Sequence, residues 1–341
     1  MSPCWSSWDV PPTMRRLIET PAHKKELQDM SRCLVTGAAG FIGSNLCEGL
    51  LEKGHDVVGL DAFIPYYDRA VKEANLSVAR ANDRFTFHEL DLREADLAPV
   101  VEGCDAIFHE AAMPGLMRSW SDLELYATCN LLGTERLLNA ARDAEVSHFI
   151  HVSTSSIYGK EATGDEDTPP HPFSPYGVTK LAAEHLCHAY EVNFGVPVTV
   201  LRYFSVYGPR QRPDMAYNIL IRNLDEGECF TMFGDGEQTR SNTYVADCVA
   251  ATILAFENQS ATIGETINIG GGEIVSLNEV IRMLEELTGK KAQITRKEPR
   301  PGDQKHTAAN IDKARRLLGY NPTTRVIDGL RAQVEWQRSR A

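Results

Sequence analysis

The stretch "LVTGAAGFIGSNL", residues 34–46, decides how this chain is read. An apolar run meets Gly37, Gly40 and Gly43, each three residues after the last, and a helix-like pattern then begins. A helix start carries unpaired N–H groups and a partial positive charge. Glycines let a pyrophosphate approach that close, so the pattern predicts a strand, a phosphate-binding turn and a helix. A tight turn without a ligand gives the same spacing, and the flanking sequence has to decide.

Outward from this turn, apolar runs alternate with helix-like segments. "CLVTG", "DVVGLD", "FTFHELDL", "DAIFHEAA", "HFIHVSTS" and "VPVTVLRYF" read as six strands. "FIGSNLCEGLLEKG", "LYATCNLLGTERLLNAARDA" and "YGVTKLAAEHLCHAYEVNFG" read as helices, the first stopping at Gly54. Such alternation implies βαβ units and a parallel sheet covered on both faces. Past residue 205 the pattern loosens into short strands ("CFTMFG", "ETINIGG") and helices ("SLNEVIRMLEELTG", "IDKARRLLG"), as expected of a smaller C-terminal lobe. The expected organisation is an N-terminal extension over 1–30, a nucleotide-binding domain over 31–204 and a lobe over 205–341. A return of the chain to the sheet after 205 is left open. The extension is polar, broken by prolines and weakly patterned, with one short helix expected near 22–29 and no signal-peptide core.

Composition narrows the function. The 341 residues carry 35 Lys+Arg against 47 Asp+Glu, a net charge of -12, which argues against nucleic acid as a main partner. No apolar run approaches the roughly 18 to 20 residues that span a bilayer. Cys4, Cys33, Cys47, Cys104, Cys129, Cys187, Cys229 and Cys248 are scattered without metal spacing. They predict free thiols, a reducing cytoplasm and no metal site.

The second strand should end at Asp61. An acid there accepts the ribose hydroxyls of NAD and repels the 2′-phosphate of NADP; it also serves as an ordinary turn residue. Asp91, at the expected end of the third strand, could meet the adenine amino group or cap a helix. In "SPYGVTKLAAE", Tyr176 and Lys180 lie four apart and share a helix face. A nearby ammonium brings a phenol from near 10 toward working pH and makes it a usable base. Upstream, Thr154, Ser155 and Ser156 come directly after a strand, where a hydroxyl can bond a sugar oxygen as it changes protonation. Asn130 in "CNLLGT" could hold the backbone and a water near Lys180, or simply pack.

Taken together, "TGAAGFIG", Asp61, "HEAA", "CNLLGTERLL", "STSSIYG", "SPYGVTK" and "RYFSVYGPRQRPDM" resemble the extended short-chain dehydrogenase/reductase family over about 32–338. Within it the similarity is to nucleotide-sugar epimerases, dehydratases and decarboxylases. The resemblance implies a Rossmann-type doubly wound α/β fold with a smaller α/β substrate lobe, NAD as cofactor, a UDP-sugar substrate and a homodimer built on the helices near 123–144 and 176–194. Thr154, Tyr176 and Lys180 would be the catalytic triad. Phe41 and Ile42 between the glycines, Leu92 beside Asp91, Ala111, Ala112, Tyr203 and Val206 would complete the cofactor site, with Asn130. Arg240 and Arg300 would clamp the UDP diphosphate and Asp303 would meet the uridine ribose.

The two residues after Thr154 narrow the reaction. A 4,6-dehydratase of this kind shows Asp-Glu there; Ser155 and Ser156 cannot do that acid–base work. "STSSIYG" and "GPRQRPDMA" look most like UDP-glucuronate 4-epimerases, in which Arg212, Thr154, Ser155 and Ser205 would surround the sugar carboxylate. The loop at 114–118 departs from that pattern. Where those epimerases read close to "PGVR", this chain reads "PGLMR", with Met117 in place of the arginine and Arg118 one position later. Arg118 serves if the loop shifts; otherwise the sugar pocket differs. Decarboxylation of UDP-glucuronate, epimerisation of UDP-glucose and a non-catalytic NAD-binding role are the competing readings.

Overall fold

The computed structural model describes residues 30–300 and 302–340. The short helix expected near 22–29 lies outside the described residues.

Seven parallel strands make the main sheet. In spatial order they are Thr266–Ile269, Val198–Tyr203, His148–Thr154, Ala106–His109, Arg32–Thr36, Asp56–Asp61 and Phe85–Glu89. The order reverses on either side of Arg32–Thr36, which opens a crevice at the carboxyl ends of the central strands. Cys33, Leu34, Val35 and Thr36 are fully buried, as are Ile107, Phe108, Phe149 and Ile150. Strands hidden on both faces read as the near-continuous apolar runs seen in the sequence.

Three expectations are corrected. "ETINIGG" belongs to the main sheet, not to the C-terminal lobe: Thr266–Ile269 pairs in parallel with Val200–Tyr203. The third strand ends at Glu89, leaving Asp91 in the turn beyond it, where its carboxylate accepts from the Arg93 N–H at 2.9 Å. The expected helix over 125–144 is broken. An α-helical turn Leu123–Ala127 passes into a π-helical turn Thr128–Leu132 before the helix Gly133–Asp143. The Gly133 N–H reaches back to the Thr128 carbonyl, five residues away. The extra residue swings Asn130 inward, and π-turns of this kind cluster at functional sites.

The helix Pro175–Phe194 is specified at both ends. The Ser174 hydroxyl accepts from the Gly177 N–H, Pro175 occupies the first turn, and Gly195 closes the helix at φ 70. Tyr176 therefore stands in the first turn, with Lys180 one turn below it. Away from the main sheet lies a further apolar core of Leu220, Ile221, Phe230, Met232, Val280, Leu284 and Leu330, among others. A four-stranded sheet runs Ile274–Ser276, Thr239–Ser241, His306–Thr307 and Glu161–Ala162, so it takes one strand from before residue 205. Among the described residues no helix is long and apolar enough to cross a membrane, and the seven cysteines are unpaired.

Candidate active site

A cavity of about 430 Å³ runs along the carboxyl edge of the sheet from Gly37 to Arg240. Its floor is the glycine turn. Gly37 sits at φ 70, and a Cβ there would come within 3.0 Å of the Ala111 backbone. A Cβ on Gly43 would stand 2.3 Å from the Gly37 carbonyl oxygen. Gly43 thus protects the turn itself, not only helix–strand packing. Gly40 caps the helix Phe41–Glu52 with no side-chain hydrogen bond, so the first-turn N–H groups stay available to an anion. Phe41, Ile42, Leu92, Ala111, Ala112, Tyr203 and Val206 all line the cavity.

Asp61 is buried at one end of this cavity. Its Oδ2 accepts from the Ala39 N–H at 3.2 Å; Oδ1 accepts from the Phe63 N–H at 2.8 Å and from Lys72 Nζ at 3.2 Å. A carboxylate offers about four acceptor sites, so roughly one remains for a ribose hydroxyl rather than enough for two. Lys72 adds donors beside it, a contribution that sequence reasoning missed. Asp91 lines the wall, but an ion pair with Arg93 at 2.6 Å holds its carboxyl below the usual range.

At the centre stand Thr154, Tyr176 and Lys180. The Thr154 Oγ1 accepts from the Ser156 N–H at 3.1 Å, which orients it from the strand end. Burial raises the Tyr176 phenol; the Thr154 hydrogen bond and then the Arg212 charge pull it back. Lys180 is 2% exposed, and burial brings its ammonium down to about 8. At pH 7 such a lysine is still mainly charged. Glu110, on the cavity wall, is pushed up to about 7 by burial, and its Oε1 accepts from the Tyr203 hydroxyl at 2.9 Å.

Asn130 does not line the cavity. Its Oδ1 accepts from the Met113 N–H at 2.6 Å, and its Nδ2 donates to the Met113 carbonyl and to Thr179 Oγ1. It fixes the cavity wall and the Tyr176 helix.

At the sugar end, Ser155, Ser156, Ser205, Arg212 and Arg240 line the cavity, and four expected residues do not. Met117 is 41% exposed on the surface. The Arg118 guanidinium donates to Asp122 and to the Pro65 carbonyl. Arg300 and Asp303 pair with each other at 2.9 Å, and Arg300 lies over the Phe233 ring at 4.3 Å. Arg240 donates to the Gln304 carbonyl at 2.7 Å and keeps its place at the cavity rim. Tyr66, Lys72, Glu110 and Gln304 line the cavity without having been expected. Gln304 holds the Ser155 carbonyl at 3.1 Å across a gap of 149 residues, a pairing with no local sequence signal. Among the described residues no cluster of three or more His, Cys, Asp and Glu side chains could hold a metal ion.

Residues 33–270 match the NAD dependent epimerase/dehydratase family. The crystal structure of UDP-glucuronic acid 4-epimerase from Bacillus cereus, in complex with UDP-glucuronic acid and NAD, is 46% identical; the match covers 91% of this chain and 100% of that one, with a TM-score of 0.89. A UDP-glucuronate 4-epimerase of Thermodesulfobacterium geofontis is 36% identical over 315 residues, 91% of this chain and 97% of the relative. An uncharacterized UDP-glucose epimerase of Bacillus subtilis is 46% identical over 311 residues, 90% of this chain and 98% of the relative.

Proposed function

The chain belongs to the NAD-dependent epimerase/dehydratase family, and from that membership we propose that it interconverts UDP-glucuronate and UDP-galacturonate by epimerisation at C4 of the sugar. The observation that carries the choice of sugar is Arg212. It is a guanidinium lining the same cavity as Thr154, Ser155 and Ser205, and a cation flanked by hydroxyls suits a sugar carboxylate.

The cavity fits NAD on its own terms: a glycine cradle that a Cβ would fill, an open helix start and a buried acid at the ribose end. The turn Gly37–Gly43 would take the diphosphate, Asp61 with Lys72 the adenosine ribose, Asp91 and Leu92 the adenine, and Ala111, Ala112, Lys180, Tyr203 and Val206 the nicotinamide riboside. NAD, when bound, supplies a reversible hydride acceptor for C4. Tyr176, assisted by Thr154 and by the charges of Arg212 and Lys180, removes the proton from the sugar O4 and returns it after the 4-keto sugar has turned over. Ser155 and Ser156 supply no acid for C5–C6 elimination. Arg212 holds the carboxylate, which must stay out of line with the C4 carbonyl π system if CO2 is to be retained. Arg240 faces the UDP moiety.

We also propose a homodimer and a cytoplasmic location. Leu123, Leu132, Val178, Val192 and Phe194 leave large apolar side chains exposed on the helices that would meet. Unpaired thiols suit a reducing compartment. Light scattering returning a monomer at micromolar concentration would remove the dimer.

The test is proton NMR of the pure protein with UDP-glucuronate. UDP-galacturonate in a stable mixture is the expected outcome. UDP-xylose or a 4-keto pentose with CO2 would replace the proposal with decarboxylation. Turnover of UDP-glucose alone would move the enzyme to neutral sugars, the reading favoured by Arg118 lying outside the cavity.

A further inference from the structure

Lys180 has an uncommon neighbour. Its ammonium is buried, and no carboxylate among the described residues forms an ion pair with it. Among the described residues the one side chain within hydrogen-bond reach is His151, whose Nε2 lies 3.5 Å from Nζ. His151 is fully buried in the strand His148–Thr154, and its other ring nitrogen, Nδ1, has no partner. The adjacent imidazole of His109, with ring centroids 5.4 Å apart, differs in having both nitrogens bonded, to Thr36 and Thr134.

We propose that His151 is a positioning residue for Lys180, and that the two form one titrating unit: the imidazole accepts from the charged ammonium and switches tautomer to donate to the free amine.

The chemistry of the two groups leads there. An ammonium only donates, so while Lys180 is charged Nε2 must be the acceptor and the ring proton must sit on Nδ1. There it is a buried N–H without a partner, which costs free energy. When Lys180 loses its proton, the ring can carry hydrogen on Nε2 and donate it to the amine, leaving Nδ1 only an unused lone pair. The imidazole stays neutral in both states, because burial and the Lys180 charge hold it well below the usual histidine range. Titratable groups face the pair from two sides. His109 and Glu110 come from the strand Ala106–His109 and the residue after it; Glu184, Cys187 and His188 come from the helix Pro175–Phe194. Glu110, Glu184 and Cys187 raise the lysine, and burial outweighs them. His151 is the group that can bond Nζ in either state. It thereby holds the amine at the end of the strand that carries Thr154, whichever charge it bears.

The inference rests on the catalytic reading of Tyr176 and Lys180, not on any particular sugar, and its first readout needs no substrate. In 15N NMR of the full-length holoprotein labelled at histidine, the His151 ring should show Nδ1 protonated at pH 6.5. It should change to the Nε2–H form with the same midpoint as the Lys180 side chain, monitored by 13C-labelled lysine and assigned with Lys180→Arg. An Nε2–H form at pH 6.5, or no change through the lysine titration, overturns the proposal. As a second arm, His151→Phe removes the acceptor of the charged ammonium, a charge-assisted bond stronger than the one to the free amine, and should lower the Lys180 midpoint by about one pH unit. It should also cut kcat at pH 7 by about twofold with an unchanged KM, as the charged fraction of Lys180 falls with its midpoint, and His151→Gln, which restores an acceptor, should recover both. His148→Phe is the same change on the opposite face of the strand and should leave the lysine midpoint alone. Equal midpoints in wild type and a folded His151→Phe overturn the proposal. Absence of UDP-glucuronate turnover with these NMR results intact would strike only the choice of sugar.

Discussion

Arg118 closes a one-turn ion pair with Asp122, Nη2 to Oδ2 at 3.0 Å, which turns the guanidinium away from the cavity that its position in the sequence suggested. A third donor goes to the Pro65 carbonyl at 3.2 Å. Arg212 pairs with Asp214 at 3.0 Å yet remains on the cavity wall. Both guanidiniums lie 5.6 Å from the centre of the Tyr66 ring, one inside the site and one behind it.

The two arginines should therefore separate in steady-state kinetics with UDP-glucuronate. Arg212→Ala is expected to lower kcat/KM by about 100-fold or more, the effect of truncating a charge contact in a largely enclosed site. Arg118→Ala should change it by less than about threefold and alter stability by roughly 0.5 kcal/mol, as for a half-exposed pair.

Cofactor choice should turn on Asp61 and Lys72. Asp61→Ser removes the charge that repels a 2′-phosphate and frees the lysine 3.2 Å away. Titration calorimetry should show NADP affinity rising relative to NAD by about tenfold or more. An unchanged ratio would mean that the ribose lies elsewhere.

Behind the triad, Glu184 and Arg202 form a buried pair, with Arg202 Nη2 to Glu184 Oε2 at 2.8 Å and the Ser153 hydroxyl on the same carboxylate. Arg202 also donates to the Tyr158 hydroxyl at 2.8 Å. Glu184→Ala leaves that guanidinium unpaired and should cost about 3–5 kcal/mol in urea unfolding. Its nearness to Thr154 predicts a loss of activity alongside.

Acid should destabilise the fold early. Burial lowers His109 to about 3 and His148 to about 4, and His151 lies well below its usual range. The unfolded chain protonates all three near pH 6.5 while the folded chain does not, so stability falls as pH drops from 6.5 toward 4. Each histidine contributes up to about 1.4 kcal/mol per pH unit in that window. Glu110, raised to about 7, acts with the opposite sign between about 4.5 and 7 and offsets one of them. Urea midpoints at pH 6.5, 5.5 and 4.5 should fall, and His148→Phe should flatten the fall by about one proton.

The sequence exposed those parts of the site whose geometry is local. The glycine turn is one run of seven residues, and Tyr176 and Lys180 share one helix turn, so spacing alone put each set together. Lys72, Gln304 and Glu110 carry no such mark. Lys72 reaches Asp61 from a separate helix, Gln304 meets Ser155 only after the lobe has folded back, and Glu110 looks like an ordinary strand-end acid. The π-turn at 128–132 was hidden for another reason. Its apolar spacing fits a regular helix, and the bonds that Asn130 makes from the wider turn, to Met113 and Thr179, join residues far apart in sequence. "ETINIGG" was misplaced because a short apolar strand reads alike in a lobe and at the edge of a buried sheet.

The position of Thr266–Ile269 bears on how the protein is made. During synthesis, Val198–Tyr203 leaves the ribosome with one edge unpaired, and its partner emerges about 60 residues later, roughly 3–12 s at ordinary elongation rates. Through that interval the nascent chain presents an apolar strand edge, the kind of surface that recruits chaperones and seeds aggregation. Tyr203, at the end of that strand, lacks its neighbour for as long, so the cofactor cleft takes its final form only after most of the polypeptide has been translated.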